Sequence, residues 1–126
     1  MAEILLDSDV IIAWLRGHNP FGELIPELLE KGHLFTWTPV SVAEIFAGVR
    51  KDEEDRVDNL FLVLSPALIS TEVGRKAGGY LKSYARSHGV ELGDALVAAT
   101  AFFNKTPLWT LNRRHYPMRD IRFFSP

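Results

Sequence analysis

Residues 4–15, ILLDSDVIIAWL, hold two apolar runs parted by Asp7-Ser8-Asp9. Ile4 to Leu6 suits one short strand buried on both faces. The second run, from about Val10 to Arg16, suits a helix that Gly17 ends. A buried strand feeding directly into a helix points to helices packed on a parallel sheet.

The rest of the chain keeps this alternation. Phe21, Leu24, Ile25, Leu28 and Leu29 recur at helical spacing up to Gly32, and Pro26 among them predicts a kink or a first-turn position. His33 to Trp37 reads as a second strand. TPVSVAEIFAGV reads as a helix with Pro39 near its first turn, and KDEEDRVDNLFLVL as a helix with a solvated face. LSPALI reads as a loop or strand. Thr71 to His88 is a long amphipathic helix stopped by Gly89, and LGDALVAATAFFNK a helix apolar enough to be buried. Pro107–Leu111 and Ile121–Phe124 read as late strands. The expected architecture is one α/β domain over residues 1–126, a three-layer α/β/α sandwich with a mainly parallel sheet. Ligands in such folds gather beyond the carboxyl ends of the strands, where Asp7 would stand.

Composition excludes more than it names. Fourteen Lys and Arg against sixteen Asp and Glu leave a net charge of −2, which selects no partner. The lack of cysteine excludes disulfides, thiolate metal sites and a cysteine nucleophile, and agrees with a cytoplasmic protein. No apolar stretch approaches the ~18 residues of a membrane span. The first residues lack the basic and apolar regions of a signal peptide, so none is expected.

Each candidate carboxylate has a plain structural role. Asp7-Ser8-Asp9 offers helix caps, and Ser8 could cap while Asp7 holds a cation. Glu44 closes an S-x-x-E capping box with Ser41, or lies inside the helix if Thr38-Pro39 begins it. Asp94 caps a helix after Gly93, or occupies its first turn if Leu92 is already helical. Together, three carboxylates from three elements beside apolar residues repel one another unless they take up protons or hold a cation. Oxygen-only ligands suit Mg²⁺ or Mn²⁺.

A second signal lies in TLNRRHYPMRDIR, where Arg113, Arg114, Arg119 and Arg122 outnumber Asp120. Arginine forks bind phosphate, and Tyr116 or Trp109 could stack on a base. A solvated loop accounts for the same arginines. His115 suits a general acid, an RNA contact or a structural role.

Taken in order, LLDSDVII, PVSVAEIFAG, LGDALVAATA and LWTLNRRHYP resemble the PIN domain, and more narrowly the VapC-type toxins of toxin–antitoxin pairs. The resemblance implies an endoribonuclease whose Asp7, Glu44 and Asp94 bind Mg²⁺ or Mn²⁺ and carry catalysis. Ser8 and Asp9 would support the first acid, with Thr110 and Asn112 in the last motif. Many PIN domains have a further acid where Asn112 stands, so a second metal would be held weakly. Arg113, Arg114 and His115 would meet RNA. The implied partners are a VapB-type antitoxin, with its C-terminal segment in an apolar groove, and a second copy of the chain. Trp14, Leu15, Leu28, Leu29 and Phe46 would line that groove or belong to the core.

Three other classes compete. Asp7-Ser8-Asp9-Val10 resembles the nucleophile loop of haloacid-dehalogenase-like phosphatases, but the later lysine and acidic pair of that class are missing. A receiver-like domain would need an acid near LSPALI. A catalytically inactive PIN-like binding domain would be expected to lose one of the three acids, and only Asn112 favours it.

Overall fold

The computed structural model describes residues 2–126. Four strands, β1 (Glu3–Leu6), β2 (Leu34–Trp37), β3 (Ser65–Pro66) and β4 (Leu108–Trp109), form a sheet in the order β3-β2-β1-β4. Every pairing is parallel. Between the strands run α1 (Ser8–Leu15), α2 (Phe21–Glu30), α3 (Pro39–Gly48), α4 (Glu54–Val63), α5 (Thr71–His88) and α6 (Leu92–Asn104).

Strand periodicity divides the core in two. Ile4, Leu6, Phe35, Trp37 and Trp109 pack on one face with buried residues of α1 to α4. Leu5 and Leu108 pack on the other with Val73, Ala77 and Tyr80 of α5 and the alanine-rich side of α6. The result is the expected three-layer α/β/α sandwich. Small alanines at Ala95, Ala98, Ala99 and Ala101 bury the middle of α6, as its composition predicts, while Leu92 and Phe103 near its ends are exposed.

Helix ends follow the sequence punctuation. Gly17 (φ +67°) closes α1, with the His18 amide donating to the Ala13 carbonyl and the Gly17 amide to Trp14. This is the left-handed glycine cap that satisfies the last carbonyls. Gly89 (φ +66°) stops α5 in the same conformation.

Two readings need correction. Pro26 is the sixth residue of α2, past its first turn, and the helix runs through it. Both Pro26 and Gly22, whose carbonyl loses its donor, are exposed, so solvent meets the freed group. Ile121–Phe124 makes only one bridge, Phe123 to Leu108, because β4 pairs with β1 over just two residues. Leu28 takes the core place, one of the two expected for it. Trp14 and Leu15 are half-buried and edge a small cleft of about 240 Å³ against α4. Phe46 is exposed, 5.9 Å from the Phe61 ring.

The acidic stretch is not uniformly solvated. A 3₁₀ turn, Lys51–Glu53, precedes α4 and turns Glu53 inward. One carboxylate oxygen accepts from Arg16 Nε at 3.0 Å; the other accepts from the Arg50 amide at 3.0 Å. The Arg16 hydrogen bond, then that amide, hold the carboxyl down at about 2, against an ordinary 4.5. A depressed folded-state value adds stability above the unfolded value and loses it as pH falls. Between about pH 4.5 and 2, the melting temperature should therefore drop more steeply for the parent than for Glu53→Gln. Parallel pH–melting curves would remove this ion pair from the acid sensitivity.

Candidate metal centre

The site begins where β1 meets α1. Asp7 has extended backbone (φ −74°, ψ 156°) and is the N-cap of α1, with its carbonyl accepting from the Ile11 amide. Its Oδ1 accepts from the Ser8 amide at 2.9 Å. Oδ2 accepts from the Tyr116 hydroxyl at 2.7 Å and the Thr110 hydroxyl at 2.9 Å. The expected division of labour between Ser8 and Asp7 does not hold. Asp7 is the cap, and Ser8, the first helical residue, donates from Oγ to Glu44 Oε1 at 3.2 Å.

Glu44 reaches this point because Thr38 caps α3. The Thr38 hydroxyl accepts from the Ser41 amide, and Pro39 takes the first helical position, whose amide would go unused. Ser41-Val-Ala-Glu44 is thus no capping box, and Glu44 lies in the second turn. Partial burial pushes its carboxyl up against the Ser8 hydrogen bond, and the charges of Asp7, Asp94 and Glu91 push the same way.

Asp94 is the third residue of α6, where its Oδ2 accepts from the Glu91 amide at 3.2 Å. Its pKa is also raised, mainly by burial and then by Asp7 and Glu91, while the Glu91 amide and His115 pull it down. Gly93 beside it permits a close approach between helices. A Cβ there would stand 3.2 Å from Val40 Cγ1 at the start of α3. The lack of a side chain at Gly93 thus draws two acid-bearing helices together.

Asp9 lies beside Asp7, with which it shares the Thr110 hydroxyl. Its Oδ2 accepts from the Leu111 amide at 3.1 Å and lies 3.3 Å from the Thr110 hydroxyl. Thr110 has one proton to give, and its shorter contact is with Asp7. Asp9 Oδ1 is buried without a hydrogen-bond partner among the described residues. Burial first, then Asp7, pushes this carboxyl up to about 6.

The last motif differs more from expectation. The Asn112 amide donates to the Thr110 hydroxyl, and a 3₁₀ turn, Arg113–His115, follows. Arg113 is engaged elsewhere: it donates to Ser125 Oγ at 2.7 Å and lies 4.9 Å from the Phe123 ring. That packing weakens its claim as a phosphate contact. Arg114 and His115 are exposed beside it. Trp109 and Tyr116 are each only 3% exposed, so neither can stack on a base. Burial and the charge of Asp7 push the Tyr116 phenol far up, which keeps it a proton donor.

Tyr116 is the residue that sequence reasoning misplaced. No spacing joins it to Asp7, 109 positions away. The signal available was weak: a tyrosine in the motif that follows the strand beside β1.

Among the described residues, no three acidic or imidazole side chains converge tightly enough to grip one ion together. The acids share an electrostatic neighbourhood, yet each is tethered to its own element.

Residues 4–121 match the family model of the PIN domain. The chain belongs to the PIN-domain family. Over 116 residues this PIN domain is 38% identical to ribonuclease VapC10 of Mycobacterium tuberculosis, covering 91% of this chain and 86% of that one. It is 31% identical over 115 residues to ribonuclease VapC19 of the same organism, covering 90% and 92%. Its fold matches that of VapBC2 from Rickettsia felis, solved bound to a DNA fragment from their promoter. The TM-score is 0.80 over 97% of each chain, at 18% identity.

Proposed function

We propose that this PIN domain is a VapC-type endoribonuclease, the toxin of a toxin–antitoxin pair, and that it hydrolyses RNA phosphodiesters with Mg²⁺ or Mn²⁺. One observation carries the chemistry. Asp7, Glu44 and Asp94 come from three elements to one sheet edge, where burial and mutual repulsion raise the pKa values of Glu44 and Asp94. A divalent cation relieves that repulsion, and oxygen-only donors favour a hard one.

The residues fit such an ion in a particular way. Mg²⁺ keeps several waters and uses one or two protein carboxylates, so it does not require three acids in a tight ring. Asp7 and Asp94 would hold it, with Glu44 close by and the unpartnered Asp9 Oδ1 adding negative charge beside Asp7. Bound there, the ion would supply Lewis-acid polarisation of the phosphodiester. Tyr116 and Thr110 fix Asp7 through Oδ2, leaving Oδ1 as the oxygen with spare accepting capacity. Ser8 holds Glu44 by Oε1, leaving Oε2 to take a proton from an attacking water. Arg114 and His115 would meet the RNA backbone that the acids repel.

The relatives support the assembly as well as the chemistry. Exposed Phe46, Phe61, Leu62 and Val63, with the cleft beside Trp14 and Leu15, suit the apolar segment of a VapB-type antitoxin. A homodimer is part of the same reading. No helix among the described residues is long and apolar enough to cross a membrane.

Purified, antitoxin-free protein should cut total RNA from its source into discrete fragments with Mg²⁺ or Mn²⁺, and chelator should stop it. Asp94→Asn should lose the cutting while melting at or above the parent temperature. RNA bound but uncut by folded wild type in both metals would favour the binding-only reading, to which Asn112 lends some support.

A further inference from the structure

Charge is distributed very unevenly between the two sides of the sheet. Residues 1–70 carry five Lys and Arg against twelve Asp and Glu, whereas residues 71–126 carry nine against four. The first set supplies α1 to α4 on one face; the second supplies α5 and α6 on the other. A protein of net charge −2 thus has one acidic and one basic side.

The basic side is also hollowed. A cleft of about 740 Å³ lies between α5 and the C-terminal stretch, lined in part by Arg75, Tyr84, Phe103 and Arg119. A second hollow of about 490 Å³, bordered by Lys105 and Arg122, shares Phe103 and Asp120 with it. The wall between them is fixed. Tyr80 donates to Asp120 Oδ1 at 2.6 Å, Lys76 donates to Oδ2 at 2.7 Å, and the Lys76 ammonium lies 4.0 Å from the Phe102 ring centre. This network neutralises Asp120, so that exposed Glu72 is the one lining carboxylate outside an ion pair among the described residues, against two such arginines. Arg75 and Arg119 are exposed, and neither enters an ion pair among the described residues.

We infer that this trough is a second RNA-binding site, which holds the phosphate backbone of a structured substrate away from the acids. The inference rests on RNA being the substrate. Two free guanidiniums on a fixed frame provide forked phosphate donors. The exposed Phe103 and half-buried Tyr84 offer ring surface to an unpaired base. Phe103 lies nine residues along α6 from Asp94, a helical rise of about 13 Å. A folded RNA can reach both places at once, whereas a dinucleotide cannot. The trough would therefore favour large, structured RNA without taking part in bond cleavage.

The test measures binding of bulk transfer RNA, using the whole antitoxin-free protein in chelator so that nothing is cut. Arg75→Gln/Arg119→Gln should bind transfer RNA about tenfold more weakly near physiological salt. Its plot of log affinity against log salt should be shallower by about two, one for each lost phosphate contact. Lys31→Gln/Lys51→Gln removes the same charge from the acidic side and should change little. Unchanged transfer-RNA affinity and slope in the arginine variant would overturn the proposal, as would equal weakening in the lysine control. So would intact RNA binding with a lost dimer in sedimentation, which would make the trough a protein contact. Cleavage of total RNA by wild type with Mn²⁺ is scored apart. Its failure, with the arginine variant still weakened, counts against the nuclease and not against the trough.

Discussion

Asp7→Asn should lower RNA cleavage by at least about 100-fold, the upper end of what even outer partners of metal ligands cost. It should not unfold the protein. The substitution keeps the shape of a residue only 9% exposed and removes one of several mutually repelling charges. An amide oxygen can still accept from Tyr116 and Thr110 at the loss of the Ser8 amide's side-chain acceptor, and the capping backbone carbonyl is unaltered. Asp9, pushed up partly by Asp7, should titrate closer to an ordinary carboxyl. Activity and stability thus move apart, as they do where a site holds like charges for function. Thermal melts and the cleavage rate, measured on the same preparation, check this. Equal losses in both would make Asp7 a structural cap and nothing more.

That prediction depends on a residue legible from its neighbours. The apolar triplet before Asp7 and the apolar run after Asp9 set the end of β1 and the start of α1 within two residues. Glycine stops did the same for α1, α2 and α5, because a left-handed cap is a local event. Glu44 was ambiguous in sequence because two caps, Thr38 and Ser41, competed. Packing chose Thr38, whose side chain is fully buried and bonded to the Ser41 amide. What stayed hidden was long-range. The inward turn of Glu53 needs Arg16, 37 residues away, and the ties of Arg113 need the C-terminal residues. Side chains in and after β4 were misread because the chain folds back over the sheet edge. Trp109 and Tyr116 become core where composition suggested an RNA-facing surface.

Tyr116→Phe is the sharper probe, since it removes one atom from that hidden contact. The phenol is buried and donates at 2.7 Å to a carboxylate that is itself nearly buried. Losing a hydrogen bond to a charged group costs about 1.5–3 kcal/mol, and the ring still fills its place. The chain should therefore melt lower without changing fold. The larger effect is expected at the metal. With Oδ2 held only by Thr110 and Oδ1 by the Ser8 amide, the carboxylate gains room to turn, and Oδ1 is less firmly fixed towards the cleft. Second partners of metal ligands typically matter by 10–100-fold in metal affinity or activity, so Mn²⁺ affinity by calorimetry should fall within that range. Excess Mn²⁺ should restore part of the cleavage, which no general loss of packing would allow. A variant that melts lower but binds Mn²⁺ like the parent would confine Tyr116 to the core. Asp7 would then owe its orientation to Thr110 and to its own place at the head of α1.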